Sequence, residues 1–422
     1  MNAEILAVGD ELLSGEVTDT NSPFIEDMLF DRHLTVRRVT LLPDDEEVVA
    51  RALEEGAERG REALEAGFTP QVLIVTGGLG PTRDDITRQA VAAAAGKALE
   101  FRREALEHIA RRFNRKLEDI PEENKRQAFF PEGSKALPNP NGTAQGFATT
   151  VAGIPVYVLP GVPHELKAML CDSVLPRLGA SSNYNYARAR FYTQGKGEST
   201  IAGALGELMD RGRNPLLGTL AHKGMVIVKV CARAETPEEA AGLLDETTVE
   251  IRSRLGDAVV CEGLTSLEET LLNLARERNL TIAVAESCTG GLLGAALTSV
   301  PGSSEVFRGG VIAYSNELKE ELLGVPAGVL DQHGAVSAPV AEAMAAGVLK
   351  GTDADLAAAI TGIAGPGGGT QEKPAGLVYI GIATSEGAET HEFRFRGMRE
   401  VVRQRSVSAA LALLVRKTRS MP

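Results

Sequence analysis

The sequence predicts an α/β protein of three successive parts, and three observations predict it. Apolar strand-like runs alternate with helix-like segments through residues 1–180 and again after 265, the pattern of parallel strands joined by helical crossovers. Glycine-rich turns directly follow several of the apolar runs. Composition breaks at 179–186, GASSNYNY, and at 262–265, EGLT, and both read as joints. The length of 422 residues also exceeds one core, at roughly 150 residues per domain.

In order, AEILAVG reads as a strand, NSPFIEDML as a helix, TVRRVTLL as a strand and DEEVVARALEEGAERGREAL as a helix. QVLIVTGG is a strand running into a glycine turn, DDITRQAVAAAAG a helix, PVYVLPG a strand and HELKAMLCDSVL a helix. The middle part, 186–260, gives strand RARFYTQG, helix STIAGALGELMD, strand GMVIVKVCAR, helix TPEEAAGLLDETTVEIRSRLG and a short strand AVVC, a small α+β unit. The last part, 265–422, gives helix SLEETLLNLARERN, strand TIAVAE, a helix, strand GGVIAYS, further helices, strands DLAAAITGIAG and GLVYIGIAT, and a final helix through VVRQRSVSAALALLVRK.

The net charge of −13 argues against a nucleic-acid partner, which normally meets a basic face. Cores must be aliphatic, because tryptophan is absent and aromatics make up 4%. The four cysteines, Cys171, Cys231, Cys261 and Cys288, are widely spaced, so neither a zinc site nor a disulfide framework is indicated. MNAEILAVGDELL lacks the basic start of a signal peptide, and no apolar run approaches a membrane span. The expectation is a cytoplasmic protein with reduced thiols and no membrane partner.

Four loops in residues 1–180 carry unusual residues, each placed by the pattern at a strand C-terminus, where open α/β sheets bind ligands. They are GDELLSGEVTDTN, TGGLGPTRDDIT, PNPNGTAQGF and LPGVPHEL. Gly77, Gly78 and Gly80 allow close backbone approach, and the helix that follows offers N–H groups to a phosphate. Asp84, Asp85 and Asp44 suit a metal that bridges to phosphate. Alternatively, the glycines simply make turns and Asp85 caps a helix.

These motifs resemble the molybdopterin-binding fold, a three-layer α/β domain, in the variant that begins CinA-type competence/damage-inducible proteins. The resemblance implies cleavage of ADP-ribose to AMP and ribose 5-phosphate with a divalent metal (Mg, Mn or Co). It implies a nucleotide site at Asp10, Glu11, Asn21, Gly77, Gly78, Gly80, Thr87, Asn141, Gly142 and Glu165, with Asp44, Asp84 and Asp85 on the metal. A pterin-binding scaffold without turnover is the other reading of this domain. The middle part resembles the KH-like segment of the same proteins. It lacks a clear GxxG loop or basic face, so it reads as a structural or dimerisation module. Lys196 and Glu198 in its GKGES turn are possible contributors to a neighbouring site.

The last part opens on AESCTGG, with Ser287, Cys288 and Thr289 in a row. A hydroxyl nucleophile needs a base within reach. His333 and His391 are the two histidines there, and no motif places either beside a nucleophile. Lys373 sits in the loop GPGGGTQEKPAG, read as flexible. Lys319, one turn past Tyr314 and Ser315, is a base if burial lowers its pKa. PGSSEVF supplies Ser303 and Ser304. On the residues alone, PGSS is equally a capped turn and Lys319 equally a solvated helix residue.

AESCTGG, PGSSEVFRGGVIAYSNELK, HGAVS and TGIAGPGGGTQEKPAGLVYIG together resemble the nicotinamide-nucleotide amidase family, an α/β domain that also ends CinA proteins. The resemblance implies metal-free, cofactor-free deamidation of nicotinamide mononucleotide through a Ser–Lys pair. Ser304 would be the nucleophile, Lys319 the general base and Tyr314 its helper. Ser287, Thr289, Gly290, Gly291, Thr361, Gly362 and Arg399 would hold substrate. Met398 stands where that family has Asp, which makes Arg403 a substitute for Arg399. AESCTGG then reads as a cradle whose helix N-terminus faces phosphate or oxyanion, and Cys288 as a buried filler. The expected whole is a bifunctional pyridine-nucleotide recycling enzyme, as a homodimer. The alternative is a non-enzymatic pterin- or nucleotide-binding scaffold linked to competence or damage response.

Overall fold

The computed structural model of the protein describes residues 2–32, 34–67, 71–179 and 184–421. The chain forms two compact units: residues up to 186 with 233–240, and 187–232 with everything from 241 onward. The expected joint at 179–186 falls largely on residues 180–183, outside the described ones, and Asn185 already begins a strand. The joint at 262–265 is tied down. Gly263 N–H donates to the Arg190 carbonyl at 3.0 Å, and the Tyr192 hydroxyl donates to the Thr265 carbonyl at 2.8 Å.

The first unit is built on β1 (Asn2–Val8), β2 (Thr35–Leu42), β3 (Gln71–Thr76), β6 (Lys135–Leu137), β7 (Gly146–Val151) and β8 (Ile154–Leu159). They lie in the order β2-β1-β3-β8-β7-β6. A separate ribbon pairs β4 (Leu99–Phe101) with β5 (Phe129–Pro131). β2, β1, β3 and β8 are parallel, as the alternation predicts. β7 and β6 are antiparallel additions that the sequence reading did not separate from the PNPNGTAQGF loop. Every residue of β3 is buried, which is why QVLIVT reads as unbroken apolar. Helices Asn21–Phe30 and Pro163–Met169 cover one face, and Glu46–Glu65, Thr87–Ala94 and Arg103–Phe113 the other. The four parallel strands therefore end at one edge. Because β7 runs the other way, the β6–β7 loop joins that edge as well.

In the second unit, β9 (Asn185–Thr193), β10 (Leu216–His222), β11 (Met225–Ala234) and β12 (Val259–Glu262) form a sheet in the order β10-β11-β9-β12. β10, LLGTLAH, went unread because it is a half-exposed edge strand without a clean apolar alternation. The remaining sheet takes the order β14-β13-β15-β16-β17, from β13 (Ile282–Glu286), β14 (Phe307–Ile312), β15 (Leu356–Gly362), β16 (Leu377–Thr384) and β17 (Gly387–Arg394). Only β14, β13 and β15 are parallel, whereas β16 and β17 return as hairpins, a correction to the wholly parallel expectation. Helix Ala338–Thr352 packs on one face, and Leu267–Glu277 with Arg399–Ser420 on the other. The last helix also reaches the small sheet, where Arg416 and Arg419 donate to the carbonyls of Asp257 and Val260 at 2.9 and 2.6 Å.

Helix Ala338–Thr352 crosses the end of helix Asn316–Leu323 at Gly347, where an added Cβ would lie 1.8 Å from the Leu323 carbonyl oxygen. Gly347→Ala should therefore force the two helices apart and destabilise the second unit by about 2–4 kcal/mol. Urea unfolding reads this directly, and an unchanged midpoint would contradict the packing described.

Candidate functional site

Lys319 lies on helix Asn316–Leu323, which starts after β14 with Ser315 as its N-cap, the Ser315 hydroxyl accepting from Leu318 N–H. The side chain turns inward and the residue is 1% exposed. Its Nζ donates to the carbonyls of Ala313 at 2.9 Å, Ser315 at 3.3 Å and Tyr314 at 3.4 Å, and to Ser287 Oγ at 3.2 Å. Among the described residues no carboxylate pairs with it. Burial holds its ammonium below the ordinary lysine range, against smaller opposing pulls from Cys288 and Glu317. The solvated-helix alternative is thus excluded.

Ser287 is positioned by β13, its N–H donating to the Ile360 carbonyl of β15 at 2.9 Å. The expected partner, Ser304, is elsewhere. It is exposed, in the single 3-10 turn Ser303–Glu305 that precedes β14, and that turn is held by Arg276, which donates to Gly302 and Glu305. Lys319 follows the other end of the same strand. At ~3.3 Å per residue the stretch from Val306 to Ala313 spans roughly 20 Å, so Ser304 and Lys319 of one chain do not touch. Sequence proximity concealed this, because a strand puts the residues before and after it at opposite ends.

The AESCTGG turn also differs from the expected cradle. Glu286, 1% exposed, accepts from the N–H groups of Gly291 at 3.0 Å, Leu293 at 3.1 Å and Gly294 at 2.8 Å. The N-terminus of helix Leu292–Thr298 is therefore occupied from inside and not free for a phosphate. Glu286 was missed because it reads as the last residue of an apolar strand. Gly290 and Gly291 adopt left-handed φ of 59° and 95°, which the turn requires. Burial pushes the Cys288 thiol up to about 11, which fits a filler and not a nucleophile. Thr289 is fully buried, and its hydroxyl has no partner among the described residues.

Two arginines from the last helix organise the rim. Arg403 donates to the carbonyls of Cys288 at 3.2 Å and Thr289 at 2.8 Å, so it braces the turn and is not a spare substrate ligand. Arg399 donates to the Gly365 carbonyl at 3.1 Å and to the Tyr314 hydroxyl at 2.9 Å. Met398, at the N-cap of that helix, makes no capping bond and is 79% exposed, yet Arg399 is oriented without it. Thr361 Oγ donates to Ala335 O at 2.7 Å beside Gly362, tying β15 to the HGAVS loop. Lys373 is a clamp and not a free loop residue, donating to the carbonyls of His333 at 2.6 Å and Val336 at 2.8 Å. The structure thus brings Ser287, Lys319, Tyr314, Arg399 and the glycine turns together, and leaves Ser304 apart.

In the first unit the expected loops meet at the C-terminal sheet edge. Asp10 N–H donates to Asp44 Oδ2 at 2.9 Å, and Asp44 N–H returns a bond to Asp10 at 3.3 Å. Burial, then the negative charges of Asp10, Glu11 and Asp84, raise the Asp44 carboxyl. Gly77 at φ 101° and Gly78 at φ 63° leave no room for a side chain, since a Cβ would lie 2.1 Å from the Val8 carbonyl oxygen and 2.2 Å from Thr87 Oγ. Asn21 donates to Gly161 O at 2.7 Å and Thr76 Oγ at 3.2 Å, and its own buried Oδ1 has no partner among the described residues. Asn139, unmarked in the sequence reading, accepts from Asn141 and Gly142 N–H and donates to Glu165 at 2.7 Å. Arg88, also unmarked, is buried behind this edge with Nε and Nη2 unpaired among the described residues.

The expected metal ligands are not assembled. Asp85 closes its own loop, accepting from the N–H groups of Gly80 at 2.7 Å and Thr82 at 2.8 Å and from the Thr82 hydroxyl. That is the capping alternative, displaced from the helix to the loop. Among the described residues no three His, Cys, Asp or Glu side chains form a metal-holding group. The acidic edge matches a cation in charge, but its donors do not converge. In the middle part Glu198 accepts from Thr219 Oγ at 2.9 Å, a contact within its own sheet and helix.

Comparison with known proteins gives three family matches: a probable molybdopterin binding domain over residues 4–180, the damage-inducible protein CinA KH domain over 190–260 and the CinA C-terminal domain over 264–418. A relative in Caldicellulosiruptor bescii named for competence-damage induction is 42% identical over 418 residues, covering 99% of each chain. A CinA-like protein of Citrifermentans bemidjiense is 40% identical over 423 residues, again covering 99% of each. Among solved structures, a competence/damage inducible protein from Agrobacterium tumefaciens is 41% identical, with 36% of this chain and 94% of that one covered and a TM-score of 0.34. Among the described residues no helix is long and apolar enough to cross a membrane.

A lysine whose pKa is lower folded than unfolded binds fewer protons in the native state between the two values, so stability rises with pH across that window. Lys319→Met removes the effect. Near neutral pH the variant should be as stable as the wild type or more so by about 1–2 kcal/mol. That advantage should shrink in urea titrations as pH goes from about 7 to about 10. A difference independent of pH would contradict the assigned burial.

Proposed function

With membership of the CinA competence/damage-inducible family as premise, we propose that the C-terminal part of this chain is a serine–lysine amidase. It deamidates nicotinamide mononucleotide to nicotinate mononucleotide and ammonia. The observation that carries this reading is the buried Lys319 amine with a serine hydroxyl and backbone carbonyls as its only partners among the described residues.

In this reading Lys319, as the free amine, takes the proton of the attacking serine; by the family's pattern that serine is Ser304, which within one chain lies out of reach of Nζ. The serine oxygen bonds to the carboxamide carbon, and the C–N bond breaks. The departing nitrogen leaves as ammonia, with the proton returned through Lys319 or from Tyr314. Tyr314 accepts from Arg399, so its own hydroxyl proton is free to be donated. Water then hydrolyses the ester, giving the carboxylate and the free serine. Ser287, bonded to Nζ, orients the amine, and Arg399 faces the anionic end of the nucleotide. None of these steps needs a metal.

For the N-terminal part we infer nucleotide binding at the β1, β2, β3 and β8 loop edge, with hydrolysis of ADP-ribose to AMP and ribose 5-phosphate as its chemistry. The close-backbone glycines and the raised Asp44 among Asp10, Glu11 and Asp84 favour it. A divalent cation would neutralise that edge. No step is assigned to one, because the donors do not converge. A scaffold role is what remains if neither substrate turns over.

The test is ammonia release from nicotinamide mononucleotide. The wild type should release it equally with and without chelator, and kcat/KM should rise with pH to an apparent pKa below that of ordinary lysine. Lys319→Met should lose about 10²–10⁴-fold in rate at an unchanged fold. No release by the wild type, or full release by the variant, would sink the reading.

A further inference from the structure

The separation of Ser304 from Lys319 within one chain has a geometric solution in a second copy. β14 is the edge of its sheet, hydrogen-bonded to β13 alone. Little in it protects the outer edge: it has no proline, one exposed charge at Arg308, and its centre is Gly309–Gly310, with open space at Gly309. Its C-terminal end exposes Ile312 and Tyr314, and the following helix exposes Leu322, all more than half accessible. Such an edge is complementary to itself when two copies meet antiparallel about a two-fold axis.

The register follows from the strand. Residues that face each other across an antiparallel ladder share a sheet face, so the two-fold axis passes through a residue; an axis through Gly309, near the middle of Phe307–Ile312, places Phe307 opposite Val311 of the partner subunit. The same register sets Ser304 opposite Tyr314 of the partner subunit. Ala313, Tyr314 and Ser315 supply the three carbonyls around Lys319 Nζ. A slip of two residues moves the axis to Gly310, sets Ser304 opposite Asn316 of the partner subunit and leaves it at this end of the strand. The pairing therefore carries Ser304 across the roughly 20 Å that β14 interposes within one chain.

We propose that two copies of this chain join edge to edge along β14, so that each amidase site takes Lys319, Ser287 and Tyr314 from one protomer and Ser304 from the other. This rests on the serine–lysine reading above and makes the monomer an incomplete enzyme. The two five-stranded sheets become one continuous sheet, and the exposed Ile312 and Tyr314 lie against the partner's PGSS turn.

Complementation with the full-length chain tests it. Ser304→Ala and Lys319→Gln are each prepared with a different tag, checked for native melting and found inactive alone. They are then co-expressed so that mixed dimers form. Each mixed dimer holds one site with both residues intact, so a random mixture should regain about a quarter of wild-type ammonia release. A mixture no more active than its parts, with the wild type active, overturns the shared site and leaves the amidase reading standing. An active Ser304→Ala chain also overturns it, since the delivered residue is then dispensable. An inactive wild type removes the amidase reading and this inference with it.

A second measurement does not depend on activity. In a Cys171→Ser background, which removes the exposed native thiol, Phe307→Cys with Val311→Cys, and in a second chain Arg308→Cys with Ile312→Cys, each place two thiols about 13 Å apart on one face of the strand, too far to bond within a chain. The first pair lies opposite its counterparts for an axis through Gly309 and the second for an axis through Gly310, so mild oxidation of one of the two chains should yield a covalent dimer. Absence of a covalent dimer from both overturns the edge pairing.

Discussion

The C-terminal site depends on one unfavourable burial: an amine without a counter-charge. Lys319 gives up water for three backbone carbonyls and one serine hydroxyl, and burial of an uncompensated ammonium costs several kcal/mol in effect. The fold accepts this because Ala313, Tyr314 and Ser315 leave the sheet as a chain of carbonyls just where the lysine turns in. A neutral amine needs fewer acceptors than an ammonium and can receive a proton. The same arrangement that lowers stability is what the proposed base role requires.

The surroundings keep that amine in place. Glu286 absorbs the free N–H groups of helix Leu292–Thr298 and so fixes the AESCTGG turn that presents Ser287. Arg403 braces the same turn from the last helix, and Arg399 links Tyr314 to the Gly365 loop. Gly347 lets helix Ala338–Thr352 lie against the end of the Lys319 helix. The last helix, packed on both sheets of its unit, thus joins the middle part of the chain to the site's rim.

Much of this was legible in the sequence. The parallel strands β1, β3 and β8 are apolar on both faces and stand out, as does β13. The glycines of TGG mark a turn where a Cβ would collide, those of TGGLL a turn of left-handed backbone, and Lys319 is the lysine a single turn beyond a strand. What failed to show depends on long-range pairing. β10 and β6 lack a period long enough to read, and β16 and β17 turn antiparallel through hairpins that composition does not announce. Glu286 and Asn139 act by satisfying backbone groups that exist only once the loops have folded. Asp85 reads as a metal ligand by residue type but spends both oxygens on its own loop. The expected contact of Ser304 with Lys319 failed for a simple reason. Nearness in sequence across a strand is distance in space.

The central claim is that burial holds the Lys319 amine below the ordinary lysine range, and titrating it directly is the shortest route to testing it. Lysine side chains labelled with ¹³C at Cε, with the Lys319 signal assigned by its loss in Lys319→Arg, give the ionisation of that one amine in the intact protein. The account predicts a midpoint clearly below the ordinary lysine value of about 10.4. A midpoint at or above that value would mean that the carbonyl cage holds an ammonium, and the lysine would then be a structural cation and not a base.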